Sequence, residues 1–297
     1  MKRIIFLFLL GLILSVSCNE KNTENSVNNE QLTEVAFDDL TLKLSEYNGE
    51  FTANNPVTKG LLGRIFQVVK ADITGMVAGG SVGAGIGGAV DVLSGGTLGG
   101  CGTAGGTIIG GVVGGAAFSL DAVFNPPSSQ NVVSTSKGYD FSEVTGYFSD
   151  QTGYSHNVII QNILADDDFD GTNQMKIIER VIAEAELLGY KVPQNLASAI
   201  YENLVADKYI LDNYADEDIL PALQARYPAY ANELSVAHTY LETISSYQGY
   251  DETVVDYTEG FIDIIASSQI PECSKEVIRA SISVGANSSM LWREAND

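Results

Sequence analysis

Basic side chains are scarce in this chain: 16 lysines and arginines stand against 38 acids in 297 residues. The resulting net charge of −22 repels phosphate backbones and excludes nucleic acid as an expected partner. Histidine is scarcer still, with only His156 and His238. A zinc centre needs three or four ligands, and no acid stands in an evident helical relation to either histidine. Ser155 adjoins His156, but neighbours on a helix point in different directions. His156 and Asn157 therefore read as a capping and packing pair rather than part of a nucleophilic triad. The chain lacks a Walker loop and a nucleophile elbow. Gly83-Ala84-Gly85-Ile86-Gly87-Gly88 lacks the dinucleotide spacing, and no strand precedes it. With no catalytic constellation, an enzyme is not expected.

Glycine is abundant and unevenly placed, with 18 of the 30 lying between Gly75 and Gly115. Gly75, Gly79, Gly83 and Gly87 repeat every four residues, as do Gly102, Gly106, Gly110 and Gly114. Residues four apart share a helix face, so each series draws a smooth stripe along a rod. In a helix in water each glycine costs about 1 kcal/mol relative to alanine. Such density points to close backbone approach in a bilayer or a tight helix pair. Ile73–Val90 and Val92–Leu120 carry no charge, and the second run is long enough to span a membrane. The block, residues 61–125, reads as a glycine-zipper helical hairpin with Asp91 near its tip. Asp72 and Asp121 mark its base, and Asn125-Pro126-Pro127 stops it.

Residues 1–17 read as a secretory signal peptide: Lys2 and Arg3 precede an apolar run too short to span a bilayer. Residues 18–60 are polar and read as a flexible tether, with Leu40-Thr41-Leu42-Lys43-Leu44 alternating like a lone strand. In an oxidising compartment Cys101 and Cys273 become a candidate disulfide.

A linker, 126–137, leads to an acidic region, 138–297, with 27 acids against 8 bases. Repeated helix starts and stops make it an amphipathic helical bundle, so the expected class is all-α: a glycine-zipper hairpin followed by an acidic bundle. Thr172 and Gly189 bracket one helix; Leu196, Ile200, Leu204 and Tyr209 set the period of the next. Asp166, Asp168 and Asp170 before Gly171 match the first half of a calcium loop. The bidentate acid expected at Ile177 is missing, so the competing reading is an acidic loop at a helix N-terminus. Calcium is the only candidate cofactor.

Leu14-Ser15-Val16-Ser17-Cys18 resembles the lipobox of bacterial lipoproteins in the relaxed form of Bacteroidetes, with serine where leucine is usual. The resemblance implies lipidation at Cys18 and an outer-membrane lipoprotein, surface-exposed or released to the extracellular space. The glycine block resembles the membrane-active part of bacteriocins. Together with the order of parts, it is similar to the protease-activated lipoprotein toxins of Bacteroidales. That implies insertion into a target membrane, a surface receptor, an activating protease and self-assembly. It also implies a cut after Arg64, or less favourably Lys59, ahead of the hairpin. The alternative is an envelope lipoprotein whose hairpin stays with its producer, or a binding module that wraps the hairpin itself.

Overall fold

The computed structural model describes residues 23–55, 69–76, 79–80, 83, 101–125, 132–134, 138–245, 247 and 250–294. The fold is all-α. Helix α1 is Thr23–Asn54, and α2 covers 69–76 with 79–80 and 83 also helical. Helix α3, Cys101–Phe124, follows, and then strand β1, Val132–Ser134. Next come α4 (Ser142–Thr145), a 3-10 turn (Phe148–Gln151), α5 (Thr152–Leu164), α6 (Gln174–Leu187) and α7 (Leu196–Asn213). The chain closes with α8 (Asp216–Arg226), α9 (Ala231–Ser245), α10 (Asp251–Ser267), α11 (Glu272–Leu291) and β2 (Trp292–Glu294). The two strands pair antiparallel, Val133 opposite Arg293, and tie the C-terminal end to the segment leaving the hairpin.

Local chemistry explains several boundaries. Asn173, one residue after the expected Thr172, caps α6 by accepting the Lys176 N–H at 3.1 Å. Gly189 ends that helix region with φ of 93°, a conformation that costs glycine little. Pro271 precedes α11, where its missing N–H is harmless.

Two apolar clusters make the core. One gathers Val112, Val113, Ala116 and Leu120 of α3 with Ile159, Ile163, Ile178, Val181, Ile200 and Leu204 of α5–α7. The other joins Phe37, Leu40 and Leu44 of α1 to Tyr240, Tyr257, Phe261, Ile278 and Ile282 of α9–α11. Helix α11 runs between them, buried without interruption from Val277 to Ser288 and packed on α3, α5, α9 and α10.

Three expectations are corrected. Residues 23–54 of the proposed flexible tether form a helix docked on the second cluster, and Leu40–Leu44 is helical rather than extended. The signal lay in the 3-4-3-4 spacing of Phe37, Leu40, Leu44, Tyr47 and Phe51, a helical seam hidden among polar residues. Burying Phe37, Leu40 and Leu44 contributes about 1.5–3 kcal/mol each. Helix α3 of the hairpin shares its core with α5–α7 of the acidic bundle. On α7, Asp207 is buried where the period pointed to Tyr209, which is 63% exposed.

Candidate functional site

The glycine stripes face each other. A methyl group on Gly75 would meet the Gly114 carbonyl oxygen at 2.7 Å, and methyls on Gly79 and Gly83 would overlap Gly110 and Gly106 outright. The antiparallel pairs 75/114, 79/110 and 83/106 are centred in sequence on positions 94 and 95. Only hydrogen as a side chain permits backbones this close. Gly87 and the expected tip at Asp91 lie outside the described residues, and Gly102 is in the first turn of α3. Next to Gly114 in the stripe, Gly115 is flanked by the Asp72 carbonyl of α2, the His156 ring of α5 and Val284 of α11, so two bundle helices also come close to α3 there.

The hairpin base is polar and buried. Asp72 is fully excluded from solvent; its Oδ2 accepts from Ser288 of α11, and its Oδ1 lies 3.5 Å from His156 Nε2 of α5. Asn157 fixes the imidazole: its Nδ2 donates to the Asn287 carbonyl at 2.9 Å, which turns Oδ1 toward His156 Nδ1 at 3.0 Å. Nδ1 must then donate, and Nε2 is directed at the carboxylate. Asn287 continues the seam, accepting the Tyr139 N–H at 2.6 Å and donating to the carbonyls of Tyr139 (3.1 Å) and Ser283 (2.9 Å). At the other foot, Asp121 accepts from Asn125 at 2.9 Å and lies 3.5 Å from Lys208. Lys70, nearly buried, pairs with exposed Asp216 at 2.9 Å. Asp72 and Asp121 were legible as base markers; their partners Ser288, His156 and Lys208 were not.

Three further buried ionisable side chains, Arg279, Asp150 and Asp207, brace the bundle. Arg279 stacks 3.6 Å over the Tyr147 ring, donates to Ser149 and Glu276, and lies 3.4 Å from Asp150. Burial pushes the Asp150 carboxyl above its usual range, against the lowering by Thr145 and Arg279. Burial pushes Asp207 up to about 6, although Tyr227 donates to it at 2.5 Å and Arg226 pairs with it at 2.6 Å.

The remaining expected sites fall as follows. Ser155 Oγ accepts from Tyr190 at 2.9 Å and His156 faces Asp72, so no Ser–His pair forms. His238, contrary to expectation, has an acid one turn away, with Glu242 at 3.4 Å. Asp166 and Asp170 accept bonds within their own loop, and each pairs with a basic residue of α6: Asp166 with Arg180 at 3.5 Å and Asp170 with Lys176 at 3.6 Å. Among the described residues no group of three or more metal-ligating side chains occurs. Cys273 is exposed in the first turn of α11, whereas the side chain of Cys101 lies outside the described residues. Cys18, Lys59 and Arg64 also lie outside them. Among the described residues no helix is long and apolar enough to cross a membrane. No family model, curated protein or solved structure matches the chain.

Proposed function

We propose that the chain is a secreted, bacteriocin-like lipoprotein toxin that stores a membrane-inserting glycine hairpin within an acidic helical domain. The observation that supports this reading is the preassembled glycine interface. The outer flank of α3, Val112, Val113 and Leu120, is buried in the apolar core. Exchanging that core for lipid tails replaces one apolar neighbour by another. The buried carboxylates Asp72 and Asp121 oppose the exchange until their partners let go. Lipidation at Cys18 holds the protein at the outer-membrane surface, and a protease cut at Arg64 or Lys59 severs the covalent link between the anchor and the hairpin and bundle. A receptor on the target cell and association of several inserted hairpins complete the mechanism.

Dye release from liposomes tests it. Cut protein is expected to empty vesicles, and a variant with Gly79, Gly83, Gly106 and Gly110 all changed to leucine is expected not to. Equal leakage from both, or none from either, overturns the pore reading.

The core shared by α3 with α5–α7 also favours a second reading, a resident envelope lipoprotein that keeps the hairpin packed at home. Purified protein spotted on related strains separates the two: clearing supports a toxin, and unaffected growth supports the envelope role.

A further inference from the structure

Helix α1 is joined to the rest of the chain only through residues 56–68, yet it lies in a shaped groove on α9 and α10. Its anchors follow the helix-in-groove pattern: Phe37, Leu40 and Leu44 are buried, and Tyr47 and Phe51 continue the same line. The Tyr47 ring stacks on Tyr257 with centroids 5.3 Å apart and planes 7° from parallel. Phe51 covers the same ring at 4.3 Å. Two hydrogen bonds cross reciprocally: Tyr47 donates to the Tyr257 carbonyl at 3.0 Å, and Tyr257 donates to Asn48 Oδ1 at 2.6 Å. The groove has a notch at Gly260, where a Cβ would overlap the Tyr47 hydroxyl.

Charge works against this fit. Helix α1 carries seven acids and one base, and α10 carries five acids and no base. Among the described residues no ion pair joins α1 to the bundle, and the carboxylates of Asp256 and Asp263 lie close enough to act on Tyr47. Apolar burial and ring stacking hold the helix while like charges push it off, so salt strengthens its grip.

We infer that the α9–α10 groove is a docking surface for residues 23–55 of this same chain, and that α1 is a separable strap. A chain cut within residues 56–68 remains a two-part complex, so the anchored N-terminal piece still holds the bundle after the cut. Release is then a second, ionic-strength-dependent step. An intact connection holds the strap at an effective concentration on the order of millimolar, and cutting removes that advantage. The biological use of the strap rests on the toxin reading; the docking does not.

The test places a site-specific protease sequence within residues 56–68 of the full chain and follows the cut protein by size exclusion. The two pieces are expected to co-elute at about 0.5 M salt and to bind at least tenfold more weakly at about 0.01 M, where charge repulsion is least screened. Leu40→Asp, placed in the seam, is expected to separate the pieces after cutting while the uncut variant keeps its helical circular dichroism. If that variant does not fold, an excess of free peptide spanning residues 23–55 serves instead and is expected to displace the strap from cut protein. Immediate separation of the cut wild-type pieces at both salt levels overturns the inference, as does co-elution indifferent to both Leu40→Asp and the competing peptide. Vesicle leakage is scored separately, on the bundle piece freed from the strap: no leakage from it removes the toxin reading and leaves the strap, and leakage with immediate separation of the wild-type pieces does the reverse.

Discussion

Asp72 Oδ1 lies 3.5 Å from His156 Nε2, and both side chains are wholly excluded from solvent. This pair joins the first glycine helix to α5 at the point where the hairpin enters the bundle. Asp72→Ala leaves the buried Ser288 hydroxyl without its acceptor and strips the carboxylate from beside His156, and is expected to destabilise the protein by about 1–3 kcal/mol, seen as a fall of roughly 5 °C in Tm. The double change Asp72→Leu with His156→Leu is expected to cost less than the two single changes added together. Additive costs in thermal or urea unfolding would show that the two side chains do not act as a pair.

Glycine positions are expected to divide sharply by what a methyl group would meet. Gly79→Ala and Gly110→Ala each force a Cβ against the opposing backbone, which cannot rotate away. Each is expected to cost at least the 1–3 kcal/mol, roughly, of an overpacked core. Gly49, inside α1 with open space around it, is expected to do the opposite: alanine there should add about 0.5–1 kcal/mol. Urea midpoints of the three variants give the comparison, and similar losses at all three would contradict the close approach of α2 and α3.

Stability should fall as pH rises through the range set by Asp207. Its carboxyl titrates near 6 in the fold against 3.8 when unfolded, so the folded state holds the proton more tightly. The advantage is complete below about 3.8, declines as pH rises to about 6, and is gone above that. Two units correspond to about 3 kcal/mol from this group. Asp150, also raised by burial, acts in the same direction. Urea unfolding across this range is expected to show a smaller decline for Asp207→Asn than for the wild type. An unchanged slope would remove Asp207 as its source.

The Asn287 side-chain amide reaches both backbone groups of Tyr139 and the Ser283 carbonyl within its own helix, while its backbone carbonyl accepts from Asn157 of α5. Asn287→Ala is expected to leave the buried donors and acceptors around Tyr139 unmatched, at about 1–3 kcal/mol. Amide exchange at Tyr139 should accelerate accordingly. A variant with unaltered protection at Tyr139 would show that the side chain is dispensable there.

The helical class was legible because Ile178, Val181 and Ala185, or Leu196, Ile200 and Leu204, repeat at a period that only a helix can bury on one side. The paired glycine series likewise announced two helices with smooth faces. Helix α1 was missed because its apolar seam is narrow and sits in a strongly polar segment, where composition outweighs period. Asp207 was missed because periodicity favours an apolar residue, and it is Arg226 at the end of α8 and Tyr227 just after it that make a buried carboxylate tolerable there.

Composition and spacing alone thus determined an acidic helical chain carrying two glycine-striped helices with a carboxylate at each foot. Tertiary structure decided what those features meet: glycine stripe on glycine stripe, Asp72 on His156 and Ser288, and α1 in the α9–α10 groove. Local sequence sets which face of a helix is apolar or smooth, because that depends on residues three and four apart. Which face it meets depends on residues up to 216 positions away, as between Asp72 and Ser288, and no local period encodes that choice.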